Sequence, residues 1–416
     1  MTIHYHKATG IIPLLLLLLA AALLLAAWFV PGFADFYTAN VFPLMTGSFG
    51  RLTSLLPFSL GEWLLLAALV FLAALLLLTL FRLLPGPART SMGYRRFYRA
   101  YLRAVLWIAG VTALIMVLNC FIQYHCTPLE ESLQGYGRQY STEDLAELRD
   151  MIVEQANTLA EEVPETASSE TVLHDPAEAS RAAAASRAAV AALAPVYPRL
   201  GGYQVKPKPL YYSWFVSQQY MQGYYFPFSM EANYNDLMMP MNIPFTMCHE
   251  IVHTHGYILE DDANFLAFLA CTRAQDPVLR YSGYLGILYY VDNDFYASAG
   301  KAEYRRHPAI SEKVRSDSRF LSEEAWARVE QISPLPTKTV QAAADTYVDT
   351  TLKANGISSG KASYSHVVAL LLEYYDGNYS DSRAAQKESA CRRGADPARR
   401  KSYTQPARRR PRAGCT

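Results

Sequence analysis

The chain is poor in the residues that build most metal and disulfide sites. Only 9 of its 416 residues are histidine, and none of its 6 cysteines forms a CxxC pair. A zinc ribbon or a disulfide framework needs a regular cysteine pattern, so neither is indicated. Cys248 and Cys271 fall in apolar helical patterns, where a buried free thiol is the expected state.

Charged residues are missing from three long apolar stretches near the amino terminus. These are residues 11–30, 63–81 and 105–122, and about 20 helical residues cross a ~30 Å hydrocarbon core. We expect three transmembrane helices within a membrane domain of residues 1–124. The first stretch exceeds the roughly 7 to 15 apolar residues of a signal peptide. It is therefore expected to be a retained anchor, with a cleaved signal peptide as the alternative.

Basic residues indicate how these helices are oriented. Six arginines and no acidic residue lie between the second and third stretches: Arg82, Arg89, Arg95, Arg96, Arg99 and Arg103. Residues 31–61 carry only Arg51 and Asp35. A short loop rich in Lys and Arg marks the cytoplasmic side. We expect a multi-pass plasma-membrane protein with a cytoplasmic amino terminus and an extracytoplasmic domain after the third span.

The carboxyl-terminal end has a different composition. Residues 383–416 contain 11 Lys/Arg and two acidic residues, without hydrophobic periodicity. Such a segment is expected to be disordered, and we delimit a basic tail at residues 381–416. Outside the cytoplasm this tail would not meet nucleic acid, so no nucleic-acid partner is expected. Anionic wall polymer or lipid headgroups are alternatives to a simply solvated tail.

Residues 125–380 form the expected extracytoplasmic domain. Ser141 and Asp144 have the spacing of a capping box at a helix start. Helical patterns cover residues 145–159, 176–194, 261–274, 281–296, 322–331, 339–354 and 363–375. Aromatic residues, prolines and glycines predict short strands or extended segments over residues 197–235. The fold class is therefore mainly α, with a small β element.

The sequence PFTMCHEIVHTHGYILEDDANF begins at Pro244 and gathers three histidines and four acidic residues. Proline is typical of a first helical turn and glycine of a helix end, so Gly256 limits the expected helix to residues 245–255. His249 and His253 are four residues apart and share one helix face. Both imidazoles can therefore bind one ion.

The HExxH pattern predicts a Zn²⁺ site. Three protein ligands leave a fourth position for a water in catalytic zinc sites, and Glu250 is placed to take the proton of that water as general base. The acidic run that follows supplies Glu260 and Asp262 as candidates for the third ligand. His255 lies about 200° around the helix from His253, so it is expected at the surface or in a supporting position.

Glu260 and Asn264 stand in an E-x-x-A-N arrangement that resembles the E-x-x-A-[DN] element of gluzincin metallopeptidases. The resemblance implies Glu260 as the third ligand and Asn264 as a support for a ligand histidine. Six residues separate His253 from Glu260, a shorter connection than most gluzincins use, so Asp262 stays open as the ligand. The metzincin pattern is not met, because Leu259 stands where its third histidine would be.

The chain also resembles a bacterial membrane family, domain of unknown function 3810, over roughly residues 10–376. The resemblance is carried by PFSLGEW, YYFPFSMEANYN, PFTMCHEIVHTHG and EDDANFLAFLAC. It implies a membrane-anchored, zincin-like metallopeptidase domain without a defined substrate. By analogy with gluzincins, Glu231 and Asn233 are candidates for the strand edge beside the cleft.

The expected function is zinc-dependent hydrolysis of peptide bonds outside the cytoplasm. The expected zinc ligands are His249, His253 and Glu260. Glu250 would activate water; the sequence does not assign an oxyanion donor, for which Tyr234 and Tyr257 are candidates. The expected partners are the lipid bilayer and a peptide or protein substrate. Because the domain follows the third span directly, this substrate can be membrane-associated. The alternative is a non-catalytic membrane protein whose structural or regulatory zinc domain binds a peptide or a cell-wall component. An intramembrane protease is not favoured, because the flanks MNIP and LEDDAN are not apolar.

Overall fold

The computed structural model describes residues 2–84, 86, 91–133, 136–168, 175–357 and 366–376, with side chains from residue 11 onward. Helix accounts for 72% of the structure and strand for 3%, so the mainly α class is confirmed. The predicted basic tail, residues 381–416, lies outside the described residues.

Three helices near the amino terminus are long and apolar enough to cross a membrane. The helices of this region are α1 (Thr2–Phe29), α2 (Phe33–Asn40), α3 (Phe42–Met45), α4 (Arg51–Thr53), α5 (Leu60–Leu83) and α6 (Met92–Met116). A π turn, Val117–Phe121, and a 3-10 turn, Ile122–His125, extend α6. The candidate spans are α1, α5 and the extended α6, and they contain nearly all of the predicted apolar stretches.

The connection from α1 to α5 is not an irregular loop. Its helices α2, α3 and α4 are joined through a π turn, Thr46–Gly50. We refer to residues 33–58 as the 33–58 segment. The sequence pattern did not predict these helices.

The domain after the third candidate span contains ten helices among the described residues. They are α7 (Thr142–Glu162), α8 (Pro176–Ala191), α9 (Ser213–Ser217), α10 (Ile243–His253), α11 (Glu260–Thr272), α12 (Pro277–Tyr304), α13 (Glu312–Asp317), α14 (Glu323–Ile332), α15 (Thr337–Ala354) and α16 (366–376). The capping box between Ser141 and Asp144 is present at the start of α7. Each predicted helix of this domain is found, with ends that differ by a few residues; the predicted residues 363–365 of the last helix lie outside the described residues, and α12 is interrupted at Gly300, whose φ is 76°.

Three short strands form one sheet in the order β1–β3–β2. The strands are β1 (Lys208–Pro209), β2 (Gly223–Phe226) and β3 (Glu231–Tyr234). β3 is parallel to β1 and antiparallel to β2, with Tyr224 opposite Asn233. Glu231 and Asn233 therefore lie on the central strand, and their predicted place at a strand edge is wrong. Sequence alone does not give strand order, and both β2 and β3 pack against α10.

A buried ion pair attaches this sheet to the first turn of α5. Lys208 Nζ contacts Glu231 Oε1, and both side chains are almost fully buried. The Glu231 carboxylate also accepts hydrogen bonds from the backbone N–H groups of Leu60, at 3.0 Å, and Gly61, at 2.8 Å. First-turn N–H groups have no partner within their own helix and favour a negative charge. The carboxylate thus holds the start of the second candidate span against the sheet.

Candidate metal centre

Helix α10 carries the HExxH residues, and all of its residues are buried. It has Pro244 in its first turn and ends at His253, so it is shifted two residues toward the amino terminus from the predicted range. Gly256 follows with a φ of 84°, and a Cβ at this glycine would lie 2.5 Å from Thr38 Cγ2. The predicted glycine stop is confirmed, and it also permits close contact with the 33–58 segment.

His249, His253 and Glu260 are brought together by the turn between α10 and α11. Their ligand atoms all lie within 4.8 Å of one another. Glu260 Oε2 is 3.1 Å from His249 Nε2 and 3.8 Å from His253 Nε2. Tetrahedral ligands about 2.0–2.2 Å from a zinc ion lie roughly 3.3 Å apart. These spacings suit a single ion, and Asp262 is not part of this cluster.

A hydrogen bond orients the His253 imidazole, whereas His249 Nδ1 is buried without a hydrogen-bond partner among the described residues. His253 Nδ1 lies 2.7 Å from the carbonyl oxygen of Tyr257, so the Nδ1–H group donates to this oxygen and Nε2 faces Glu260. A fixed donor on the far nitrogen is typical of histidines that bind metal. Burial and the neighbouring His253 lower the pKa of His249, while hydrogen bonds with Glu260 and Asn264 raise it. Asn264 thus lies beside His249, as the gluzincin resemblance implies.

The charges of the cluster shift the pKa values of its own members. Burial lowers the pKa of His253, but the carboxylates of Glu260 and Glu250 and the Tyr257 carbonyl together raise it to about 9. Burial raises the pKa of Glu260, whereas the two imidazoles lower it, and the result is well below the usual range. A divalent cation would compete for the same donor atoms, so binding would release a proton.

Glu250 lies beside this cluster with one carboxylate oxygen unpaired. Burial raises its pKa to about 8, with His253 lowering it and Glu260 raising it further. Its Oε2 atom is buried and has no hydrogen-bond partner within the described part of the chain. A buried acceptor without a partner costs about 1–3 kcal/mol. Such an atom is typical of a place where a ligand supplies the missing hydrogen bond.

The donor set of the cluster suits Zn²⁺. Two imidazole nitrogens and one carboxylate oxygen form a three-ligand set that leaves a position open in catalytic zinc sites. The unpaired oxygen of Glu250 adds a proton acceptor beside that set. These residues therefore fit a bound zinc ion and a water next to it.

A family model described as Protein of unknown function (DUF3810) matches residues 37–372. The chain belongs to the DUF3810 family. The matched region includes the sheet and the cluster, but it begins within α2, so the first candidate span lies outside it, although the resemblance was expected from about residue 10. No curated protein and no solved structure was found to match the chain.

Three further residues of this DUF3810 chain that were considered from sequence make structural contacts. His255 is buried, not at the surface, with Nδ1 3.0 Å from the Arg199 carbonyl and Nε2 2.9 Å from Gln204 Oε1. Burial lowers its pKa to about 4. The Tyr257 ring lies 4.1 Å from the Arg199 guanidinium, and Tyr234 packs in an apolar cluster. No described contact of either phenol reaches the three ligands.

Two other tyrosines do approach the cluster. Burial and the Glu260 charge raise the pKa of Tyr290, on α12, to about 12, against a hydrogen bond with Asn264 that lowers it. Tyr124, in the 3-10 turn that ends the third candidate span, interacts electrostatically with Glu260. No local sequence pattern marks either residue, because only tertiary packing brings them to the cluster.

Replacing Gly223 tests the packing of β2 against Glu250. A Cβ at this glycine would lie 2.4 Å from the Asn233 carbonyl oxygen and 2.8 Å from Glu250 Oε1. Gly223→Ala is therefore expected to lower the free energy of unfolding in detergent micelles by about 1–3 kcal/mol, the usual cost of overpacking. Gly47→Ala is the matched control, since nothing lies within 4 Å of a Cβ there. Equal losses in both variants would contradict the close packing.

Proposed function

We propose that this DUF3810 protein is a membrane-anchored, zinc-dependent hydrolase that cleaves peptide bonds. The observation that carries the proposal is the convergence of His249, His253 and Glu260, with the unpaired oxygen of Glu250 beside them. The three converging residues would hold the ion.

The residues of the chain have separate parts in this reaction. Zinc in such a site supplies Lewis-acid activation of a water and of a carbonyl oxygen. Glu250 takes the proton of the attacking water at Oε2 and passes it to the leaving amine. The edge strand β2 restricts this carboxylate through Gly223. In place of Tyr234 and Tyr257, we propose Tyr290 as the oxyanion donor, because its phenol interacts with both Glu260 and Asn264 beside the cluster.

We also propose the membrane topology expected from the arginine distribution. The helices α1, α5 and the extended α6 would each cross the membrane, with the amino terminus in the cytoplasm. Arg95, Arg96, Arg99 and Arg103 lie in the first turns of α6, so these turns would extend into the cytoplasm. The candidate metal centre, which follows the opposite end of the third span, would then be extracytoplasmic.

Metal analysis combined with a hydrolysis assay tests the function. The purified protein is expected to hold about one zinc per chain and to cleave members of a broad peptide library. Chelation should abolish cleavage and added zinc should restore it. His253→Ala should retain less than about a tenth of the zinc, because one of the two histidine ligands is lost. His307→Ala is the matched control, because His307 binds Asp150 away from the cluster.

The possible outcomes separate the proposal from its alternative. Zinc bound at full occupancy without hydrolysis of any peptide would favour a non-catalytic zinc domain that binds a peptide or wall component. Wild-type protein without zinc, or an unchanged zinc content in His253→Ala, would contradict both.

A further inference from the structure

The 33–58 segment is tied to the membrane by its place in the chain. It connects α1 to α5, two helices that are long and apolar enough to span a bilayer. A short connection between two spans must lie at a membrane face, since neither end can move away from it. The contacts of this segment therefore report which part of the protein lies close to the membrane.

One face of the segment is apolar and exposed. Its large exposed side chains are Phe36, Leu44, Phe49, Leu52, Leu55 and Phe58, which are between 45% and 78% exposed. Leu44 lies in α3, and Phe49 lies in the π turn that follows it. Leu52 follows at a helical spacing of three. The segment thus exposes six large apolar side chains, with Ser48 and Arg51 also exposed among them, although its hydrophobic residues lack a 3.6-residue period.

The opposite face of the segment holds the elements that form the candidate metal centre. Thr46 Oγ1 donates to the carbonyl oxygen of Thr254 at 2.7 Å, and Thr254 follows the ligand His253 directly. Thr53 Oγ1 donates to the Ser229 carbonyl at 3.0 Å, next to β3. Lys208 Nζ on β1 donates to the carbonyl oxygens of Thr53, at 2.5 Å, and Phe58, at 3.0 Å. The cluster and its sheet therefore rest directly on this segment.

The third candidate span reaches the cluster as well. The Tyr225 ring centroid is 6.5 Å from that of His253, and the Tyr225 hydroxyl donates to the Asn119 carbonyl at 3.0 Å. Asn119 belongs to the apolar end of this span. A single side chain, that of Tyr225, thus links the cluster to the last turns of this span.

We propose that the apolar face of the 33–58 segment inserts into the headgroup region of the lipid bilayer and holds the metal centre at the membrane surface. The substrates are then polypeptides anchored in the same bilayer and cleaved within a short distance of their anchor. The partner of the apolar face is lipid, because both ends of the segment continue into spanning helices. The substrate class depends on the proposed function, whereas the lipid contact does not.

Photo-crosslinking tests the lipid contact. A photoreactive benzophenone amino acid in place of Leu52 is expected to form adducts with phospholipid in reconstituted vesicles of phosphatidylethanolamine and phosphatidylglycerol. The same amino acid in place of Arg181, whose side chain is 74% exposed, should not. If position 52 gives no more lipid adduct than position 181, the insertion of this face is wrong.

A matched pair of substrates tests the substrate class in the same vesicles. One cleavable sequence is offered as a free peptide and joined to a transmembrane anchor through about 5 residues, which reach at most ~17 Å. The anchored form is expected to have a kcat/KM at least tenfold higher. Leu52→Asn combined with Leu55→Asn should reduce this preference, whereas Leu52→Met with Leu55→Met should retain it. The Met pair keeps both side chains apolar and is the matched control.

The outcomes distinguish this inference from the proposed function. Equal kcat/KM values for the free and anchored substrates would exclude anchored polypeptides as the preferred class while leaving the hydrolase intact. Hydrolysis of neither substrate would contradict the proposed function, and the crosslinking result would still decide the lipid contact. An anchored preference that the Asn pair leaves unchanged would assign the preference to another surface.

Discussion

Glu250→Gln is expected to lower kcat for peptide hydrolysis by about 10²- to 10⁴-fold, the range contributed by a general base. The amide has nearly the same size and shape as the carboxylate, so the packing against Gly223 remains. It cannot accept the proton of the attacking water. Zinc content should stay near that of the wild type, because Glu250 is not one of the three converging ligands.

Glu260→Gln is the matched control for this substitution. The same chemical change at the ligand position removes the charge that attracts the cation, so both zinc content and hydrolysis should fall. A loss of zinc in Glu250→Gln would make this residue a ligand instead of a base. Undiminished hydrolysis by a zinc-loaded Glu250→Gln protein would exclude it as the proton acceptor.

The parts of the site that depend on local sequence could be predicted. His249 and His253 share a face because they are four residues apart on one helix, and this spacing holds in any tertiary context. Glu260 follows within one short turn, so its approach to both histidines is also nearly local. The helix ends at Pro244 and Gly256 come from backbone preferences that act over a few residues.

Features that depend on long-range packing could not be predicted. Gly223 contacts Glu250, and Tyr290 approaches Glu260, yet neither has a local pattern that marks it. The order of the three strands places Glu231 on the central strand, where analogy suggested an edge. Such contacts are fixed by tertiary structure, and a single sequence does not encode them in any short window.

The short helices of the 33–58 segment could not be predicted for a different reason. Its apolar residues follow the spacing of a π turn and two short helices, so a search for a regular helical period does not find them. The helical patterns that predicted α7, α8, α10, α11 and α12 are those of regular α-helices. The short helices between α1 and α5 thus escaped prediction, although they contact the residues beside the candidate metal centre.

Glu231→Gln is expected to lower the free energy of unfolding by about 3–5 kcal/mol, the usual cost of breaking a buried ion pair by removing one partner. The substitution leaves the Lys208 ammonium buried without its carboxylate. It also weakens the acceptor that receives hydrogen bonds from Leu60 and Gly61 at the start of α5. Unfolding would be followed in detergent micelles.

Two comparisons separate the ion pair from the helix cap. Lys208→Met leaves the Glu231 carboxylate with the N–H groups of Leu60 and Gly61 and the Ser229 hydroxyl as donors, so its loss should be smaller. Glu62→Gln changes another carboxylate at the start of α5. The Glu62 carboxylate accepts hydrogen bonds from the backbone N–H groups of residues 211 and 212, and among the described residues it has no lysine partner. It should cost less than Glu231→Gln. Equal losses in all three variants would show that capping, and not the ion pair, dominates.

The effect of Glu231→Gln should also depend on pH. Burial already lowers the pKa of Lys208 in the wild-type protein, although Glu231 raises it in part, and removal of the carboxylate would lower it further. The unfolded chain then binds a proton that the folded variant releases, so the stability of the variant rises with pH. Its deficit relative to the wild type should shrink between neutral pH and the ordinary lysine pKa of about 10.4. A deficit that is constant or grows over this range would show that Lys208 stays charged or has solvent access in the folded variant.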